Sequence, residues 1–200
     1  MSEKVKLEYY GIFKGISETI VTTGNSKPNA APIGIIWKDE KPFVRVYKGS
    51  ATYSNIEKDK VLIANITYDP LLFVRSTFGN LDNDEFIMES FEGRKHPALK
   101  EALGWVFFRC EKIQHGSEAL VAWLEPIAGK INNSPLKAPN RGFTAILEAT
   151  VHATRYELAG EDKYLKLVFE NLKLAEKCGS QAEIEAAELL RKIISSTDTN

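Results

Sequence analysis

Residues 30–47 read AAPIGIIW-KDEK-PFVRVY. Two short runs rich in isoleucine, valine and aromatic residues flank four charged ones, Lys38 to Lys41. The second run alternates, with Phe43, Arg45 and Tyr47 on one face and Val44 and Val46 on the other. That pattern predicts two strands joined by a polar hairpin turn. Working outward, Ser17–Thr23 is a β-branched run on one side, and Lys60–Thr67 is an apolar run on the other. Further along, Trp105–Gln114 and Ala119–Ile131 flank His115-Gly116 and predict a second hairpin, with Pro126 at an edge or bulge. Short strands, polar turns and no regular strand–helix alternation argue against a doubly wound parallel sheet. They predict a mainly β chain, an antiparallel barrel or sandwich with helices inserted and appended.

Three short helices are expected among the strands. Thr52–Lys58 follows a Gly-Ser turn. Asp69-Pro70 pairs a cap residue with proline at the first helical position. Pro97–Leu103 is the third. The character changes near Asn140. Gly142–Thr154 places Phe143, Ile146, Leu147, Thr150 and Val151 at helical spacing, and Gly160–Lys177 does the same with Leu165, Val168, Phe169, Leu172 and Ala175. Gly179 is read as the residue that ends this helix, and Ser180 to Glu183 as a capping box for a last one. The expected division is a barrel over 1–139 and a helical subdomain over 140–200, packed on the barrel.

The chain has 200 residues, 44% hydrophobic and 26% charged, which excludes disorder over most of its length. No apolar run is long enough for a membrane span, and the charged start lacks the apolar core of a secretory signal. A cytoplasmic protein is expected. A net charge of −1 argues against a general nucleic-acid binder. Cys110 and Cys178 suggest two separate reduced thiols. His96, His115 and His152 share no ligand spacing, and no metal site is expected. Motifs for dinucleotides, P-loops, zinc hydrolysis and serine nucleophiles are absent.

Two segments carry chemistry. Arg45 to Asn55 (RVYKGSATYSN) gathers Arg45, Lys48, the hydroxyls of Ser50, Thr52 and Ser54, and the Asn55 amide around Gly49. Cations, hydroxyls and a helix N-terminus are the ingredients of a phosphate site. The same residues also read as an ordinary turn in which Ser50 or Thr52 caps a helix. Asn29 to Ile35 (NAAPIGI) puts small residues and a proline into an apolar run. It suits either a strand whose edge faces a flat ligand or a bulged edge strand.

Taken in order, NAAPIGI, PFVRVYKGSATYSNI and VLIANIT resemble the FMN-binding split-barrel proteins. The closer resemblance is to a mainly archaeal branch, the DUF447 family, in which APIGI, KGS-TY-N, N-T-DP-LF and NRG recur. This resemblance implies a six-stranded antiparallel split β-barrel of Greek-key type with a C-terminal helical subdomain. It implies a homodimer with FMN in a groove at the subunit interface. The phosphate would be held in the Arg45 to Asn55 turn by Arg45, Lys48, Ser50 and Thr52. The isoalloxazine would lie along Ala31, Pro32 and Ile33. Asn29, Asn55 and Asn65 would bond the ribityl chain or ring edge, and Arg141 the phosphate or a second anion. The implied activity is that of a flavin-reductase-like oxidoreductase of unknown substrate. A non-enzymatic carrier of flavin or another flat cofactor, and a binder of another phosphorylated metabolite, are the alternatives. Gly34 to Trp37 lacks the hydroxyl residues that flavin reductases carry there.

Overall fold

The computed structural model describes residues 5–91, 93–134 and 137–197. They form two compact units. One runs to Thr67 and resumes at Asn80; the other takes Tyr68–Gly79 and the helical tail.

The first unit is a closed six-stranded barrel. Its strands are β1 (Gly15–Thr23), β2 (Asn29–Trp37), β3 (Phe43–Tyr47), β4 (Val61–Ile66), β7 (Gly104–His115) and β8 (Ala119–Ile131). They run antiparallel in the order β1-β2-β3-β8-β7-β4. Helix α1 (Ala51–Asp59) links β3 to β4. Every strand expected from the sequence is present. Inside lie Val21, Ile35, Val44, Val46, Leu62, Ala64, Val106, Phe108, Leu120 and Leu124, the alternate positions that the pleat turns inward.

The join between β2 and β3 is the weak seam. It rests on a single ladder pair, Ile36 with Phe43, whereas β2 pairs with β1 along its whole length. The edge of β2 from Asn29 to Ile35 therefore has no strand partner on that side among the described residues. Pro32, which has no N–H to offer a ladder, sits in this stretch. Opposite Pro126 the β7–β8 register slips, as expected for a proline at a bulge.

A two-stranded sheet, β5 (Phe86–Phe91) with β6 (Arg94–Leu99), corrects the expectation of a helix over Pro97–Leu103. Its residues cover the outer face of β4 and β7. Phe91 stacks on Phe107 at 4.3 Å and meets Trp105 edge-on at 5.4 Å. Both faces of β7 are thus buried, which explains the unbroken run WVFF.

The second unit contains α2 (Pro70–Phe78), α3 (Arg141–Ala159), α4 (Asp162–Cys178) and α5 (Gln181–Thr197). Asp69 caps α2, as its sequence suggested, with Oδ1 accepting the Leu71 N–H at 2.9 Å. The core joins Val74 of α2 to Ile146, Ala149, Ala153, Val168, Leu172, Ala186, Ala187 and Leu190. The buried stripe of α3 is centred on alanines, with Val151 left 40% exposed. Ile146 and Thr150 of the Phe143–Val151 face expected from hydrophobicity are buried, but the stripe turns toward Ala145, Ala149 and Ala153, because small residues let α4 approach closely. Gly142 shows the same effect: a methyl group there would lie 2.4 Å from the Gly179 Cα. Gly179 ends α4, but in an extended conformation, so close approach and not a left-handed turn requires glycine. No helix among the described residues is long and apolar enough to cross a membrane.

Candidate functional site

The KGS turn before α1 is a helix entry first. Gly49 adopts φ +86°, and a methyl group there would touch nothing, so glycine serves the left-handed turn and not a close approach. Ser50 is the N-cap: its Oγ accepts the Tyr53 N–H at 3.1 Å and donates to the Tyr47 carbonyl at 3.0 Å. The Ala51 and Thr52 N–H groups begin the helix and have no intrahelical acceptor.

Two amide–hydroxyl bonds tie α1 to the β1–β2 hairpin. Asn29 Nδ2 donates to Thr52 Oγ1 at 2.8 Å, and Asn55 Nδ2 donates to Thr23 Oγ1 at 3.0 Å. Segments 23 residues apart in sequence, NAAP and KGSATYSN, thereby meet at one corner. Thr52 is buried there, while Asn29 and Asn55 are half-buried. Arg45 on β3 and Lys48 in the turn that leads to α1 are exposed, the Arg45 guanidinium 5.2 Å from the Tyr47 ring centroid. Ala31, Pro32 and Ile33 are half-buried on β2, at the open seam. Gly34 serves its own barrel, since a methyl group there would meet the Ile16 side chain at 2.6 Å.

Two residues expected at the site lie differently. Asn65 is fully buried. Its Nδ2 donates to the Ile20 carbonyl at 2.8 Å and to Thr22 Oγ1 at 3.0 Å, and its Oδ1 accepts the Leu99 N–H at 2.8 Å. Its amide is spent on joining β4, β1 and β6. Arg141 belongs to the helical unit, where it is the exposed first residue of α3.

Glu57 carries no motif in the sequence. On the opposite side of α1 from the β1–β2 hairpin's bonds, Tyr53 Oη lies 3.2 Å from His115 Nδ1, and Glu57 Oε1 lies 3.5 Å from the same nitrogen. Partial burial raises the Tyr53 hydroxyl above its usual range, and the neighbouring Glu57 charge adds to this. The signal was the spacing of Tyr53 and Glu57 by one helical turn; what it lacked was His115, 58 positions beyond Glu57 in the chain. Two cavities of the barrel unit, of 560 and 360 Å³, take in neither Asn29–Ile33 nor Lys48–Thr52.

Family comparison decides the assignment. The N-terminal model of a protein family of unknown function, DUF447, matches residues 17–133, and its C-terminal model matches residues 140–192. The chain belongs to the DUF447 family. A crystal structure of an FMN-bound DUF447 protein from Methanosarcina mazei is 50% identical, with a TM-score of 0.90, covering 94% of this chain and 99% of that one. A flavoredoxin from Methanosarcina acetivorans shares the fold at 18% identity and a TM-score of 0.52, over 68% of this chain and 79% of that one. An uncharacterized protein of Methanocaldococcus jannaschii is 30% identical over 95 residues, 47% of this chain. The matched stretch spans 46% of that relative. The DUF447 chain thus carries a flavin-reductase-like fold, and its helical tail is part of the family's own pattern.

Proposed function

We propose that this protein is an FMN-binding flavoprotein and works as an oxidoreductase of flavin-reductase-like type. The observation that carries the reading is the 50% identity to the FMN-bound Methanosarcina mazei protein over nearly the whole chain. The corner of β2 and α1 fits such a ligand. It offers two exposed cations, unbonded N–H groups at the start of a nine-residue helix, and a strand edge of small residues. Arg45 and Lys48 neutralise a phosphate, and the Ala51 and Thr52 N–H groups donate to it. Ser50 reaches the phosphate only by giving up its bond to the Tyr47 carbonyl. Thr52 and Asn29 hold strand and helix together behind the ligand. The edge of Ala31 to Ile33 lies along the flavin ring, and Asn55 borders the ribityl chain. When bound, FMN supplies the electron transfer, and the protein supplies position and charge.

A homodimer with flavin at the interface completes the reading. β2 keeps an unpaired edge on its β3 side, and Phe13 and Ile16, in and just before the β1 strand on its other side, are 56% and 60% exposed. Open edges and exposed apolar side chains are what a second copy covers.

The test is the absorption spectrum of the purified protein, followed by titration with FMN. A flavin spectrum and release of FMN on denaturation are expected. Arg45→Gln and Lys48→Gln each weaken binding by about tenfold, the loss of one charge-assisted contact. A colourless protein that takes up no added FMN overturns the proposal. Stable binding without reduction by NADH or NADPH overturns the enzymatic half and leaves a carrier.

A further inference from the structure

The helical unit holds a cavity of 590 Å³ that the flavin reading does not use. Tyr68, Lys137, Phe143, Thr144, Ser180 and Glu183 are among its lining residues. Its size is that of a small-molecule site. One wall is aromatic. Tyr68 packs against Phe143 at 5.6 Å, and Phe143 meets Phe73 edge-on at 5.8 Å. Tyr68 nevertheless stays 48% exposed. Phe143 packs against the ring, and Lys137, which lies over it, swings aside when another ring stacks there. Lys137 Nζ stands 5.4 Å from the centre of that ring and makes no ion pair among the described residues.

The polar groups on the far side are already spoken for. Asn140 Oδ1 accepts the N–H groups of Gly142 and Phe143 at the start of α3. Glu183 Oε2 accepts both the N–H and the Oγ of Ser180, so its buried charge is satisfied within the α5 cap. Backbone N–H groups therefore do not recognise the ligand. Thr144 Oγ1 likewise donates to the Asn140 carbonyl at 3.3 Å, so selectivity falls to the ring wall and to Lys137. We infer that this cavity binds a planar aromatic molecule bearing an anionic group, its ring on Tyr68 and Phe143 and its charge on Lys137. The inference does not rest on flavin binding.

Three probes separate the contributions: 2-naphthoate, planar and anionic; 2-naphthol, planar and neutral at pH 7; and cyclohexanecarboxylate, anionic without a flat ring. The full chain is titrated with each by calorimetry, with and without saturating FMN. Naphthoate is expected to bind about tenfold more tightly than naphthol, the difference one charge-assisted contact makes, and more tightly than cyclohexanecarboxylate, which keeps the charge but lacks the flat ring. Lys137→Gln abolishes the preference for naphthoate over naphthol and leaves naphthol unchanged. Tyr68→Leu, at a half-exposed position, weakens both aromatic probes. Equal binding of all three, no binding, or indifference to both variants overturns the inference. Competitive displacement of naphthoate by FMN also overturns it, because the cavity is then FMN's own, and the flavin proposal stands. Failure to bind FMN leaves the naphthoate titration intact.

Discussion

Replacing Asn65 tests how the site is built. The sequence places this asparagine at the end of an apolar strand, where family resemblance makes it a ligand contact. In the structure it is a fully buried strut whose amide bonds Ile20, Thr22 and Leu99. Asn65→Ala leaves the Leu99 N–H and the Ile20 carbonyl without these partners. Each buried group left unpaired costs about 1–3 kcal/mol, so the pair and the small void together cost about 3–5 kcal/mol. For a chain of this size that corresponds to roughly 6–20 °C in melting temperature. Asn65→Asp is nearly isosteric but loses the donor and sets a carboxylate against the Ile20 carbonyl. It destabilises more at pH 7 than at pH 5, since protonation restores one donor and removes the charge. Urea unfolding measures the loss. FMN titration of the folded variants, at a temperature where each is native, measures affinity and is expected to stay within about twofold, well below the tenfold of a lost ligand bond. Native-like stability combined with lost FMN affinity would refute the reasoning and return Asn65 to the ligand.

Three further outcomes follow from the packing and the titrating groups. Gly142→Ala forces a methyl group against the Gly179 backbone, 2.4 Å from its Cα, and costs about 1–3 kcal/mol by urea midpoint; an unchanged midpoint would show that α3 and α4 can part freely. Burial pushes the Cys110 thiol up to about 12, so thiol reagents at pH 8.5 leave Cys110 unmodified in the native protein and reach it only on unfolding, as peptide mapping reads directly. Burial by itself raises the Glu183 carboxyl, but the hydrogen bonds from Ser180 and Asn140 outweigh it and hold it below the usual range. A group lowered on folding contributes stability that is full above its unfolded value, near 4.3, and is lost as the pH falls through its folded value. Glu183→Gln therefore lowers stability by about 1 kcal/mol at pH 7, a difference that shrinks as acid protonates the carboxyl; a difference that stays constant as the pH falls refutes it.

The strands were legible because β-branched runs and polar breaks report directly on backbone preference. The small β5–β6 sheet was not. Pro97 and the alanine-leucine pair after it carry a helical look, and contacts far away in the chain hold the strand instead: the Leu99 N–H on Asn65 Oδ1 and, on its partner strand, the stacking of Phe91 on Phe107. Val151 misled for a related reason: hydrophobicity marks what prefers burial, while helix approach selects the alanines that permit it. Ser50 illustrates a residue with two readings, cap and ligand donor. Its bonds to Tyr53 and Tyr47 show the cap realised, and FMN titration decides the donor.

Sequence alone located the six strands along the chain, the helical tail and the segments rich in phosphate-binding chemistry, because these follow from local preferences and short-range pattern; the closed barrel was implied only by family resemblance. Tertiary structure decided which of those residues share a corner, which are struts and which strand edge is left open. Those outcomes depend on register and on contacts between residues tens of positions apart, and a bond such as Asn29 to Thr52 has no trace in the residues adjoining either end.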